Sequence, residues 1–121
     1  MKVQTTIQGI TPLLMNRFTE ANEVAVSGGT SVTLRGDKGP PREQAEPKRY
    51  ADKEGHLYVP GPNIFDCLVA AGTFHKAGKS KLTTMRTSLV PAGLMVEELV
   101  CPLHDANGEP LTEWEVDSRS V

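Results

Sequence analysis

The feature that most limits what this chain can become is the corner Pro60-Gly61-Pro62, with the apolar run that follows it as far as Lys76. Each proline fixes φ and lacks an N–H, so the pair cannot lie inside a helix or a central strand. It can stand where a strand ends and a helix begins, because the first helical N–H groups have no partner within the helix. Leu57-Tyr58-Val59 therefore predicts a short strand, and Asn63 to Phe74 predicts the main helix. On a 3.6-residue period Ile64, Cys67, Leu68, Ala71 and Phe74 share one face, Phe65 and Val69 flank it, and Asp66 and Thr73 mark the polar edge. A helix this apolar needs cover on most of its circumference, from its own sheet or from a partner. Behind it come Lys76, Lys79, Lys81 and Arg86, with no acid between Asp66 and Glu97.

That local excess of base matters because the whole chain carries a formal charge of −2. Global attraction to a polyanion is excluded, and any such contact has to be local. Acids crowd the other end, at Glu97, Glu98, Asp105, Glu109, Glu113, Glu115 and Asp117. A length of 121 residues predicts a single domain, 1–121. With aromatic content of 5%, its core has to rest on Leu, Val, Ile and Met. Cys67 and Cys101 lie in apolar surroundings without ligand spacing, and read as small buried hydrophobes in a reducing compartment. No segment has the length of a membrane span and the start lacks a signal-peptide core, so a cytoplasmic protein is expected.

Along the chain, Val3, Thr5 and Ile7 alternate with polar residues and predict a half-buried strand over Met1 to Ile10. Thr11 to Phe18 reads as a loop or helical turn plugging the core, or as a loop presenting Asn16 and Arg17 to a ligand. Residues 19–47 are rich in Gly, Pro, Ser and Thr and read as a flexible insertion, with a brief strand over Thr30 to Arg35. Arg42, Lys48, Arg49 and Tyr50 put cations beside a ring, as single-strand binding requires, although a solvated linker has the same look. Asp52-Lys53-Glu54-Gly55 predicts a turn. Ala77 to Lys81 is a flexible basic connection, not a phosphate loop: Gly78-Lys79-Ser80 lacks the earlier glycine, Thr73 standing there. Leu82 to Thr87 suggests one or two helical turns, and Ser88 to Val96 a strand kinked at Pro91. Asn107-Gly108 predicts a hairpin with arms Leu99 to Leu103 and Leu111 to Val116. The finish after that arm suggests a domain incomplete at Val121.

No catalytic constellation is found. His56, His75 and His104 lack the i, i+4 spacing of a helical zinc pair, and Glu97 and Glu98 would point to opposite faces of a strand. Neither enzymatic activity nor a metal or other cofactor is expected.

Asp52-Lys53-Glu54-Gly55-His56-Leu57-Tyr58-Val59-Pro60-Gly61 resembles the acid, Gly, x, apolar, aromatic, β-branched, Pro, Gly signature of the RAMP superfamily, the RNA-binding backbone subunits of CRISPR effector complexes. Gly9-Ile10-Thr11-Pro12-Leu13-Leu14 is similar to their Thr-Pro-Leu element, while Asn63-Ile64-Phe65-Asp66 stands where they have Ser-Leu-Lys-Gly. The chain as a whole resembles uncharacterised phage and prophage proteins that open with Gly9 to Phe18 and contain Asp117-Ser118-Arg119. The resemblance implies an α+β fold with a ferredoxin-like, RRM-like antiparallel sheet backed by one main helix. Together with the acid-free basic window, the resemblance leads to the expectation of a phage-derived, non-enzymatic module binding single-stranded RNA or DNA through a local basic surface, whose candidate residues are Arg17, Arg49, Lys76, Lys79, Lys81 and Arg86. The alternative is a phage module for self-assembly or for binding another phage protein, without nucleic acid.

Overall fold

Two aspartates, Asp52 and Asp105, set the course of the chain. In the computed structural model, which describes residues 1–28 and 39–117, each starts a reversal of the same design. Asp52 Oδ1 accepts from the N–H groups of Glu54 and His56, both at 2.9 Å. Asp105 Oδ1 accepts from Asn107 at 2.8 Å and from Glu109 at 3.0 Å. Gly55 and Gly108 close the loops at φ +85°, where a side chain would be strained. Each glycine N–H returns to its aspartate carbonyl at 3.1 Å. The flanking residues bridge, Ala51 to Leu57 and His104 to Pro110. Both turns are where the sequence puts them.

The reversals bring together β1 (Tyr58–Pro60) and β4 (Val100–Pro102), antiparallel, with Val59 opposite Cys101. Behind them the Leu57 N–H donates to Leu111 O at 2.8 Å, Leu111 N–H to Leu103 O at 2.9 Å, and Leu103 N–H to Leu57 O at 3.0 Å. Leu57, 4% exposed, is the only buried hydrophobic side chain among the described residues.

Pro60 turns the chain directly into α1 (Gly61–Ala71), which tightens to a 3₁₀ turn over Gly72–Phe74. Strand, corner and helix follow as predicted, but the packed face is different. Cys67, Leu68, Ala71 and Phe74 are exposed, and the most buried positions are Gly61 and Gly72, with Phe65 and Val69 half-buried between them. A methyl on Gly61 would overlap the Glu98 carbonyl oxygen, and one on Gly72 the Thr83 hydroxyl. The helix is approached most closely where it has no side chain, by backbone at Gly61 and by the Thr83 and Val90 side chains at Gly72, so glycine spacing rather than apolar periodicity selects the contact stripe. Cys67 is thus corrected from a buried to an exposed thiol, whereas Cys101 is half-buried.

After the helix come β2 (Lys76–Ala77) and β3 (Ser80–Lys81), an antiparallel pair. The helical turns expected over Leu82 to Thr87 are absent. Thr83 bridges Ser88 instead, around a turn in which the Thr84 N–H donates to Thr87 O at 2.8 Å. The strand expected over Ser88 to Val96 is replaced by a short helix, α2 (Val90–Gly93). Pro91 falls in its first turn, where a missing N–H is harmless, and Ser88 Oγ accepts from the Val90 N–H at 3.2 Å. Of the predicted hairpin arms, the first carries β4, and the second has no strand assignment past the bridge at Pro110.

The chain divides into two compact units, Tyr50–Glu113, outlined above, and Met1–Arg49 with Trp114–Val121. In the latter, the strand expected over Met1 to Ile10 is not formed. Val3 and Ile7 are 70% and 72% exposed, and no strand among the described residues pairs with their backbone. Leu13, Leu14 and Phe18 are also exposed, so Thr11 to Phe18 does not plug a core. Within 19–47, helices stand at both ends, α3 (Glu20–Ser27) and α4 (Pro41–Ala45). Acids in the first turn of α3 suit its dipole, and Pro41 starts α4. The strand suggested over Thr30 to Arg35 and the chain end at Val121 lie outside the described residues.

The fold class is α+β, as expected: helices, one of them dominant, combined with strands that pair only antiparallel, in two sheets of two strands among the described residues. No helix of the described residues is long and apolar enough to cross a membrane.

Candidate nucleic-acid interface

A two-residue turn, Gly78-Lys79, closes the β2–β3 hairpin and puts Lys76 directly opposite Lys81. The Leu82 N–H donates to His75 O at 2.9 Å, so 76 and 81 form the non-hydrogen-bonded pair, the closer of the two kinds. Their Cβ atoms are then about 4.5–5.5 Å apart on one face. Like charges so placed destabilise a ladder. No carboxylate within ion-pair distance relieves them among the described residues. Lys79 sits at the tip, and all three lysines are exposed.

The next turn carries Arg86. Thr84 Oγ1 accepts from the N–H groups of Arg86 at 3.4 Å and Thr87 at 3.2 Å, which fixes the loop backbone while the guanidinium stays exposed. Both turns are tied to the helix end by Thr83, the one buried polar side chain among the described residues. Its hydroxyl donates to Val69 O at 2.6 Å and shares a 2.8 Å hydrogen bond with Ser88 Oγ. Its N–H donates to Gly72 O at 3.1 Å. Gly72 makes that approach possible by lacking a side chain.

An aromatic ring completes the surface. Phe74, the last residue of the 3₁₀ turn, is 86% exposed and leads through exposed His75 into Lys76. The apolar period assigned Phe74 to the helix core and so concealed it. The signal that could have revealed it is the one recognised at Arg49-Tyr50, a ring next to a basic run.

The structure thus brings Lys76, Lys79 and Lys81 onto one hairpin and Arg86 onto the turn that follows. Arg17 and Arg49 belong to the other unit. There the exposed Arg17 donates its backbone N–H to Lys48 O at 2.7 Å. Arg49 forms an ion pair with Glu46 and lies 5.6 Å from the Trp114 ring centre, where Arg42 also stacks at 4.4 Å. With a carboxylate and an indole already engaged, Arg49 is less disposed than the hairpin lysines to accept a phosphate.

In class the fold is a small α+β protein carrying an exposed basic hairpin. No protein-family model, curated protein or solved structure matches the chain.

Proposed function

We propose that this chain is a non-enzymatic module that binds single-stranded nucleic acid, RNA or DNA, through the β2–β3 hairpin and the turn after it. The observation that carries the reading is the unrelieved Lys76/Lys81 pair beside an exposed Phe74. A phosphate backbone offsets the repulsion between the lysines, Lys79 and Arg86 extend the cationic track, and the ring offers a stacking face to an unpaired base. A duplex has no such base to offer, which favours the single strand. The resemblance to RAMP proteins and to phage proteins points the same way, and suggests a bacterial cytoplasm as the setting.

Fluorescence anisotropy with labelled single-stranded RNA and DNA, titrated with salt, tests the proposal. The log–log slope is expected to be about −0.7 for each phosphate engaged. Lys76→Glu/Lys81→Glu is expected to abolish binding at low salt. Failure of the unaltered protein to bind either strand at low salt overturns the reading.

A second reading, a phage module for self-assembly or for a protein partner, is favoured by a different observation. Leu68, Leu94, Met95 and Leu99 are exposed, and an open apolar groove of about 290 Å³ runs between Gly61, Phe65, Pro91 and Leu99. Sedimentation velocity over a wide concentration range separates the two, because a strict monomer that binds RNA leaves only the first.

A further inference from the structure

We propose that Asp52, Glu54 and His56 form a site for a divalent transition-metal ion of the Zn²⁺ class. His56 Nδ1 lies 3.2 Å from Asp52 Oδ2 and 3.4 Å from Glu54 Oε2. One ligand atom from each residue falls within 4.8 Å of the others. Ligands about 2.0–2.2 Å from a tetrahedral zinc stand roughly 3.3–3.6 Å apart, so the nitrogen is at that spacing from Glu54 Oε2 and within about 0.1 Å of it from Asp52 Oδ2. The donor set is chemically selective: one imidazole with two carboxylates suits zinc and its neighbours, whereas Ca²⁺ and Mg²⁺ prefer oxygen alone.

The loop itself does not account for this convergence. The reversal at Asp105 has the same hydrogen bonds, the same glycine conformation and the same bridge, yet carries Asn107 and Glu109 where the first has Glu54 and His56. Building the turn takes only the aspartate and the glycine. In the first loop Asp52 Oδ1 is occupied by two backbone N–H groups, which leaves Oδ2 facing the imidazole, its ion-pair partner without a metal. Asp52 and Glu54 are exposed and His56 is half-buried, so an ion has access and free positions for water. The spacing Asp-x-Glu-x-His escapes a search for helical pairs because a turn, not a helix, brings alternate residues together.

The site is independent of the basic hairpin, so each proposal can fail without the other. The test is calorimetric titration of Zn²⁺ into the full chain carrying Cys67→Ser and Cys101→Ser, which removes competing thiols. One ion per chain is expected. His56→Ala and Asp52→Asn, the latter keeping an acceptor for the loop amides, are each expected to weaken binding by about tenfold or more. His75→Ala and His104→Ala are expected to leave it unchanged. The amide NMR spectrum confirms that each variant is folded, and zinc is expected to shift the residue 52–56 signals selectively. Absence of saturable one-to-one uptake, or equal affinity in folded His56→Ala, overturns the proposal.

Discussion

Gly61 and Gly93 both lie in helices, yet an alanine meets opposite circumstances at the two. At Gly61 the added methyl collides with the Glu98 carbonyl, whereas at Gly93 nothing lies within 4 Å. Gly61→Ala is therefore expected to destabilise unit 50–113 by about 1–3 kcal/mol or more. Gly93→Ala is expected to stabilise it by about 0.4–1 kcal/mol through the unfolded chain. Urea denaturation of both variants checks the contrast. Equal effects would mean that the helix does not rest on its glycines.

Asp52 offers a pH test at the same scale, in metal-free protein. The hydrogen bond from the His56 N–H is the largest cause holding its carboxyl below the usual aspartate range, with smaller help from the Glu54 N–H and the imidazole, and desolvation opposing. A carboxyl depressed on folding stabilises the fold above its unfolded pKa, about 3.9, and that stability is lost as pH falls through the lower folded value. A carbon-detected NMR titration is expected to find Asp52 titrating below the ordinary aspartate range. Neither feature is visible to hydrophobic patterning, which scores glycine as neutral and cannot see a backbone N–H. That is why the strand, corner and helix were legible while the packed stripe was not.

At the scale of the element, the basic hairpin separates stability from binding. Lys81→Glu turns the repulsive pair with Lys76 into an attractive one, worth about 0.2–1 kcal/mol to the ladder, and removes a phosphate contact. The variant is expected to melt no lower than the parent and to bind single strands several-fold more weakly, with a shallower salt slope. Lower thermal stability in Lys81→Glu would mean that the lysines are needed for folding rather than for a ligand. The sequence marked these lysines as a cluster but read their connection as flexible, because a glycine beside lysines looks the same in a loop and in a two-residue turn. For Ser88 to Val96 the alternating pattern pointed to a strand, and the first-turn preference of Pro91 with the Ser88 hydroxyl decided for a helix.

Over the whole molecule, Val3, Ile7, Leu13, Leu14 and Phe18 in one unit and Leu68, Met95 and Leu99 in the other are exposed. The alternation of Val3, Thr5 and Ile7 pointed to a half-buried strand at the start of the chain that is not formed, because a strand also needs a partner backbone and a face to bury. The class α+β was legible because it follows from local signals, the corner and the Asp-Gly turns. Long-range pairing was not. Met95→Glu, on the rim of the apolar groove, is expected to reduce any concentration-dependent sedimentation without altering nucleic-acid affinity.

The three leucines whose amides and carbonyls link in a cycle lie on stretches far apart in sequence. A cycle has no free end from which to fray. Solvent deuterium is therefore expected to reach the Leu57, Leu103 and Leu111 amides at one common rate, the slowest in unit 50–113, reporting the opening of that unit as a whole.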